Sequence, residues 1–179
     1  MRQLTFVLLG LSLTFSASAQ GTSEQAHAFA NIFISTCAKH VSNLDALRAR
    51  LRELPQLPPE KAQHFLAGKL GKAWPVPDKH GIFVLAMPDH TPLCAVYARR
   101  VQTAEALALF RELVAKAPAP LVARELKRET HETPRNGTST TVSYEWSVAN
   151  APRRMLFMLT TSDSASADIQ GMASASLIP

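Results

Sequence analysis

Apolar residues recur every three or four positions in the first part of this chain and every second position in its last third, so the pattern places helices before most of the strands. Ala26, Phe29, Ala30, Phe33 and Cys37 fall on one helical stripe behind Thr22-Ser23-Glu24-Gln25, which has the form of a capping box. Asn43 stands where it can cap a second helix. Leu44, Leu47, Leu51 and Leu54 form its apolar line, Arg48, Arg50, Arg52 and Glu53 take the solvent side, and Pro55 ends it. Pro58-Pro59-Glu60 opens a third, short helix, with Gly68 positioned as its C-cap.

Residues 69–80 hold Gly71, Trp74, Pro75 and Pro77 and read as a loop carrying an aromatic. The apolar run 82–87, the turn Pro88-Asp89-His90-Thr91-Pro92 and the run 93–100 read as a hairpin. Thr103 is the expected cap of an amphipathic helix with Ala106, Leu109, Phe110, Leu113 and Val114 on one face. From Leu121 onward the period is that of strands. Residues 121–130 are mixed and charged, as on a sheet edge, and Asn136-Gly137 is a strong hairpin signal because both residues tolerate positive φ. Val142, Tyr144, Trp146 and Val148 alternate with Thr141, Ser143, Glu145 and Ser147, which predicts a strand with one wet side. Residues 153–161 form another strand, and the small-residue segment 169–178 reads equally as a strand or a short helix. The expected fold is α+β, one domain over residues 20–179, with an antiparallel sheet of about five strands covered on one face by the N-terminal helices and the central amphipathic helix.

The first nineteen residues belong to a different category. Arg2, an apolar core over 4–15 and Ala17-Ser18-Ala19 make up the charged, apolar and small-residue order of an export signal, with cleavage expected before Gln20. No later apolar run approaches the ~18 residues of a membrane span. Removing Arg2 lowers the formal charge from +5 to +4. The cations are scattered, in a group at Arg48, Arg50 and Arg52 and doublets at Arg99-Arg100 and Arg153-Arg154, rather than gathered into the basic face of a nucleic-acid reader.

Cys37 and Cys94 are the two cysteines, and an even count in an oxidising compartment points to one disulfide. Two buried thiols, or Cys37 as a nucleophile beside His40, are the competing readings. Asp78, His80, Asp89 and His90 are the nearest approach to a metal-ligand set, but both pairs fall in turns, where these residue types serve the backbone. Asn136-Gly137-Thr138 matches a glycosylation sequon, although the hairpin accounts for it more simply. Without a G-x-S-x-G elbow, an H-E-x-x-H helix or a Gly-rich phosphate loop, the sequence points away from catalysis and from any cofactor. Trp74 is either a core residue or part of a recognition surface.

Phe33-Ile34-Ser35-Thr36-Cys37, Ala73-Trp74-Pro75-Val76-Pro77, Leu93-Cys94-Ala95-Val96-Tyr97-Ala98-Arg99-Arg100, Val142-Ser143-Tyr144-Glu145-Trp146 and Leu159-Thr160-Thr161-Ser162 together resemble a family of small exported proteins of Gram-negative bacteria. Some of its members serve as periplasmic immunity proteins against phospholipase D-type effectors of type VI secretion. The resemblance implies a periplasmic protein that binds and blocks a toxin. The alternatives are a carrier or sensor of a small apolar ligand and an unrecognised hydrolase. Binding hot spots favour Trp, Tyr and Arg. The candidate contact residues are therefore Trp74, Arg99, Arg100, Arg153 and Arg154, with Asp78 and Asp89 as acidic plugs for a basic phosphate pocket. The export reading predicts that mass spectrometry of periplasmic material returns a chain starting at Gln20; recovery of intact Met1 chains alone, from cytosol, would reject it.

Overall fold

The computed structural model describes residues 17–134 and 136–179, with backbone alone for 17–22. Most of the expected export signal therefore lies outside the described residues. Helix α1 (Ala17–Phe33) is already formed before Thr22, so the capping box does not begin it. Its expected stripe is buried, with Ala26, Phe29 and Phe33 each at most 3% exposed. The helix then widens into a π-helical turn (Ile34–Ala38). Within it the hydroxyls of Ser35 and Thr36 bond back to the carbonyls of Asn31 (2.6 Å) and Ile32 (2.5 Å), a competition with the backbone ladder that loosens helices. Cys37 emerges from this turn fully buried.

Asn43 caps α2 (Leu44–Leu51), its side chain accepting from the Ala46 N–H at 3.1 Å. Leu44 and Leu47 are buried, but the helix stops at Leu51, leaving Leu54 half-exposed rather than on the apolar line. Helix α3 (Pro59–Leu66) starts on its prolines as expected, and Ala67, at φ 50°, takes the left-handed C-cap ahead of Gly68. Helix α4 (Thr103–Val114) is capped by Gln102 rather than Thr103; the Thr103 hydroxyl donates instead to the Ser162 carbonyl.

Seven strands, not about five, form one antiparallel sheet: β1 (Gly71–Val76), β2 (Phe83–Pro88), β3 (Leu93–Ala98), β4 (Val122–Thr133), β5 (Gly137–Ser147), β6 (Arg154–Ser162) and β7 (Gly171–Ile178). Their order is β1-β2-β3-β7-β6-β5-β4. The additional strands are the two that the sequence disguises. The stretch 71–76 is a strand, not a loop: it pairs with β2 on one side only, and on such an edge Pro75 needs no ladder donor. The segment 171–178 is a strand in mid-sheet, pairing with β3 and β6. The charged β4 is the other edge, and the Asn136-Gly137 hairpin joins it to β5 as expected.

Helices α1, α2 and α4 cover one face of the sheet. Phe33 lies 5.8 Å from Phe110 and 6.5 Å from Phe157, and Trp146 packs 4.6 Å from Phe157, ring centre to ring centre. The second face is not bare, as the one-sided expectation had it. There α3 seats Ala62 and Leu66 against Ala73, Val84 and Ala86. The Tyr97 hydroxyl donates to the Phe65 carbonyl at 2.8 Å, and burial raises that phenol above its ordinary value. Nor is the second face of β5 wet, since Ser143 and Glu145 are 4% and 3% exposed.

The expected disulfide joins Cys37 to Cys94 with Cα atoms 5.3 Å apart. Cys94 is paired across the ladder with Ala175, so the bond reaches the middle of the sheet. Closing a loop of 57 residues is worth about 4 kcal/mol in unfolded-chain entropy. The double variant Cys37→Ala/Cys94→Ala is expected to lose roughly that stability in denaturant unfolding, and mass analysis of the unreduced protein to detect no free thiol; quantitative labelling of both thiols would overturn the bond.

Candidate functional site

Helix α2 lies over the β1–β2 end of the sheet with its apolar line inward, which leaves Asp45, Arg48 and Arg52 on the side toward the β2–β3 turn. Arg48 fastens the two together. Its guanidinium donates to the Asp45 carboxylate at 2.8 Å and to the backbone carbonyls of Pro88 (2.7 Å) and Thr91 (3.2 Å). On one side of this staple is a cleft of about 310 Å³ lined by Arg52, Lys72, Trp74, Met87 and Asp89 together with Asp45, Arg48 and Ala49. On the other side Asp45 and Arg48 also wall a depression of about 380 Å³ that includes His90, Thr91, Pro92, Arg153 and Leu177. Pro92, Arg153 and Leu177 in turn line a third, of about 310 Å³, that ends at Pro179. Neighbouring depressions share lining residues, so they lie side by side along the β2–β3 turn as a groove that Arg48 divides.

Three of the seven candidate contact residues meet in this groove: Trp74, Asp89 and Arg153. Trp74 is not an exposed loop residue. It sits on β1 opposite Leu85 and is 3% exposed, at the floor of the first cleft, with its indole N–H lacking a hydrogen-bond partner. Asp89 and Arg153 are exposed. The other four lie elsewhere. Asp78 shapes the β1–β2 turn at the opposite end of β2, accepting from the His80 N–H at 2.8 Å, while His80 stands 3.0 Å from Glu24. The two Asp and His pairs are thus separated by the whole of β2. Arg99 is exposed, and Arg100 donates to the Ala167 carbonyl at 2.7 Å.

Arg154 is also committed. It donates to the buried Glu145 carboxylate at 2.9 Å and to the Pro179 carbonyl at 3.0 Å. Glu145 is held further by the Ser147 hydroxyl (3.2 Å) and the more exposed Arg124 (3.4 Å). Cys37, bonded to Cys94, has no thiol to pair with His40. On the edge strand, a hydrogen bond from the Tyr144 hydroxyl at 2.5 Å, then one from Arg128, holds Glu125 below the usual carboxylate range. Tyr144 is pushed up, first by burial and then by that carboxylate.

Sequence reasoning placed Arg48 and Arg52 on a solvent face, left Lys72 without a role and read His90 as a turn residue. No spacing relates α2 to the β2–β3 turn forty residues later, and only tertiary packing brings them together. A separate, apolar cleft of about 560 Å³ lies beside the π-helical turn, lined by Ile34, Ala38, Val41, Trp146 and Met155 with Pro118 and Leu121. Comparison with known proteins finds no match among family models, curated proteins or solved structures.

The two neighbouring arginines of the Arg153-Arg154 doublet are expected to differ. Arg154→Met leaves the buried Glu145 carboxylate with only the Ser147 hydroxyl and the longer Arg124 contact, and should cost about 2 kcal/mol of stability in urea unfolding. Arg153→Met, at an exposed position, should cost less than about 0.5 kcal/mol. Equal costs would contradict this division of labour.

Proposed function

We propose that this is a periplasmic, exported binding protein of the immunity type, which neutralises a secreted phospholipase D-type toxin by docking the groove beside the β2–β3 turn against it. The observation that supports this reading is the convergence of exposed charged side chains from separate elements on one preorganised groove. Asp89 comes from a turn, Arg153 from the approach to β6 and Arg52 from the C-cap of α2, while Arg48 and the disulfide fix the walls behind them. Preorganisation lowers the entropy cost of association, which is what a tight inhibitor requires. An enzyme that handles phosphodiesters carries a basic pocket, and Asp89, exposed at a turn, is the group suited to enter it. Arg153 and His90 line the adjoining depression and are suited to acidic residues around such a pocket.

A second reading, a carrier or sensor of a small apolar ligand, draws support from the apolar cleft between the π-helical turn and β5–β6, whose volume is in the range of small-molecule sites. The two readings use different surfaces and are separable. Purified, disulfide-intact protein is expected to bind the phospholipase D-type enzyme secreted by the same cells and to abolish its lipid hydrolysis. Asp89→Lys or Arg153→Glu should weaken that binding by more than ~2 kcal/mol, measured by calorimetry. Full enzyme activity in the presence of excess protein would reject the inhibitor reading and leave the apolar cleft as the better one.

A further inference from the structure

The two edges of the sheet are finished differently. On β1 the Ala73 carbonyl accepts from the Leu57 N–H at 2.8 Å, and Pro75 presents no donor. The opposite edge, β4, runs for 12 residues, and among the described residues no group from outside the sheet bonds to its backbone. A row of unpaired amides and carbonyls is a template for one more strand. Charges, a lysine and a bulge are the usual protection of such an edge, and β4 carries all three. Protection does not require that the order of the charges be complementary to its own reverse, and here it is.

Laid antiparallel to itself about a two-fold axis between Leu126 and Lys127, β4 sets Glu125 against Arg128 and Arg124 against Glu129, each pair occurring twice. Val122 then meets His131 and Ala123 meets Thr130, so no like charges stand opposite. Sliding the strands by two residues sets Arg124 against Lys127 in one direction and Lys127 against Arg128 in the other, which is destabilising.

The bulge is what allows this register. Leu126 is the extra residue between Glu125 and Lys127, and the alternation of faces starts afresh after it. Glu125 and Arg128 oppose Tyr144 and Val142 on the helix-covered face, whereas Arg124 and Glu129 oppose Glu145 and Thr141 on the other. Residues directly opposite in a continuous sheet share a face, and both charge pairs do. In a regular strand, residues three or five positions apart fall on opposite faces, and neither pair could meet. Arg128 already donates to Glu125 at 3.1 Å within one chain, so joining two copies closes a ring of four alternating charges.

We propose that β4 is a dimerisation edge, along which two copies of this chain pair antiparallel into one continuous sheet. The edge lies at the far end of the strand order from β1 and the Trp74 cleft, and the inference stands or falls apart from the inhibitor reading.

Sedimentation velocity of the disulfide-intact mature protein at low salt is expected to show a reversible monomer–dimer equilibrium that weakens as salt rises. Glu129→Lys turns two attractive contacts repulsive and should lower the association constant about tenfold, with near-ultraviolet circular dichroism unchanged. Arg124→Glu should do the same. Mixed in equal amounts, the two variants again place opposite charges at both contacts and should associate as tightly as the wild type. Because Arg124 also lies 3.4 Å from Glu145, Arg128→Glu mixed with Glu125→Lys repeats the test away from that carboxylate. A monomer at every concentration up to the millimolar range, or a dimer indifferent to Glu129→Lys, would overturn the proposal, as would mixtures no tighter than their components.

Discussion

One covalent tie at the middle of the sheet decides where the helices can sit. Cys37 leaves the π-helical turn and reaches Cys94 on β3, next to β7 at the centre of the strand order. The two flanks of the groove lie a few residues from this bond: α2 begins at Leu44, seven positions beyond Cys37, and the β2–β3 turn ends at Pro92, two positions before Cys94. A bond that closes a 57-residue loop therefore also sets the distance between α2 and the turn. Arg48 completes the arrangement with hydrogen bonds to two turn carbonyls, and so converts a proximity into a fixed wall.

The π-helical turn is the local departure that this tie requires. A helix continuing regularly from Phe33 would advance Cys37 by 100° per residue, whereas a widened turn slows the rotation and changes the direction in which that side chain leaves the axis. Ser35 and Thr36, whose hydroxyls bond to carbonyls one turn back, supply the competing hydrogen bonds that make the widening tolerable. The same widening places Ile34 and Ala38 along the apolar cleft beside Trp146 and Met155. Local irregularity, core bond and cavity thus share one short segment of sequence.

Helices α1, α2 and α4 were legible in the sequence because amphipathic periodicity is a local property, as were the disulfide and the two hairpins, which rest on cysteine count and turn chemistry. What escaped was decided by neighbours. Residues 71–76 look like a proline-broken loop, yet the edge of a sheet asks no donor of Pro75. Residues 171–178 carry too little apolar bulk to announce a central strand. Beside a disulfide and beneath an aromatic core, Ala173 and Ala175 are buried because their small side chains are what that position can accept. Ser143 and Glu145 obey the alternation but not its usual meaning: a buried carboxylate on the supposedly wet side is compensated by Arg154 and Arg124, which the two adjacent strands bring to it.

The same distinction governs the charged residues. The sequence offers doublets and a triplet of arginines with nothing to rank their members, and the fold separates them by what each guanidinium can reach. Arg48, Arg100 and Arg154 are engaged with carbonyls or carboxylates and hold the frame together. Arg52, Arg99 and Arg153 stand exposed. In each group one cation stabilises the scaffold while a near neighbour remains accessible on it. Specificity in such a surface comes from the rigidity that the engaged arginine gives the exposed one, because a charge on a fixed wall loses little entropy on meeting its partner. The groove beside the β2–β3 turn is where this pairing occurs on both sides of a single staple, with Arg52 on one side of Arg48 and Arg153 on the other. That geometry is what supports the binding role proposed for it.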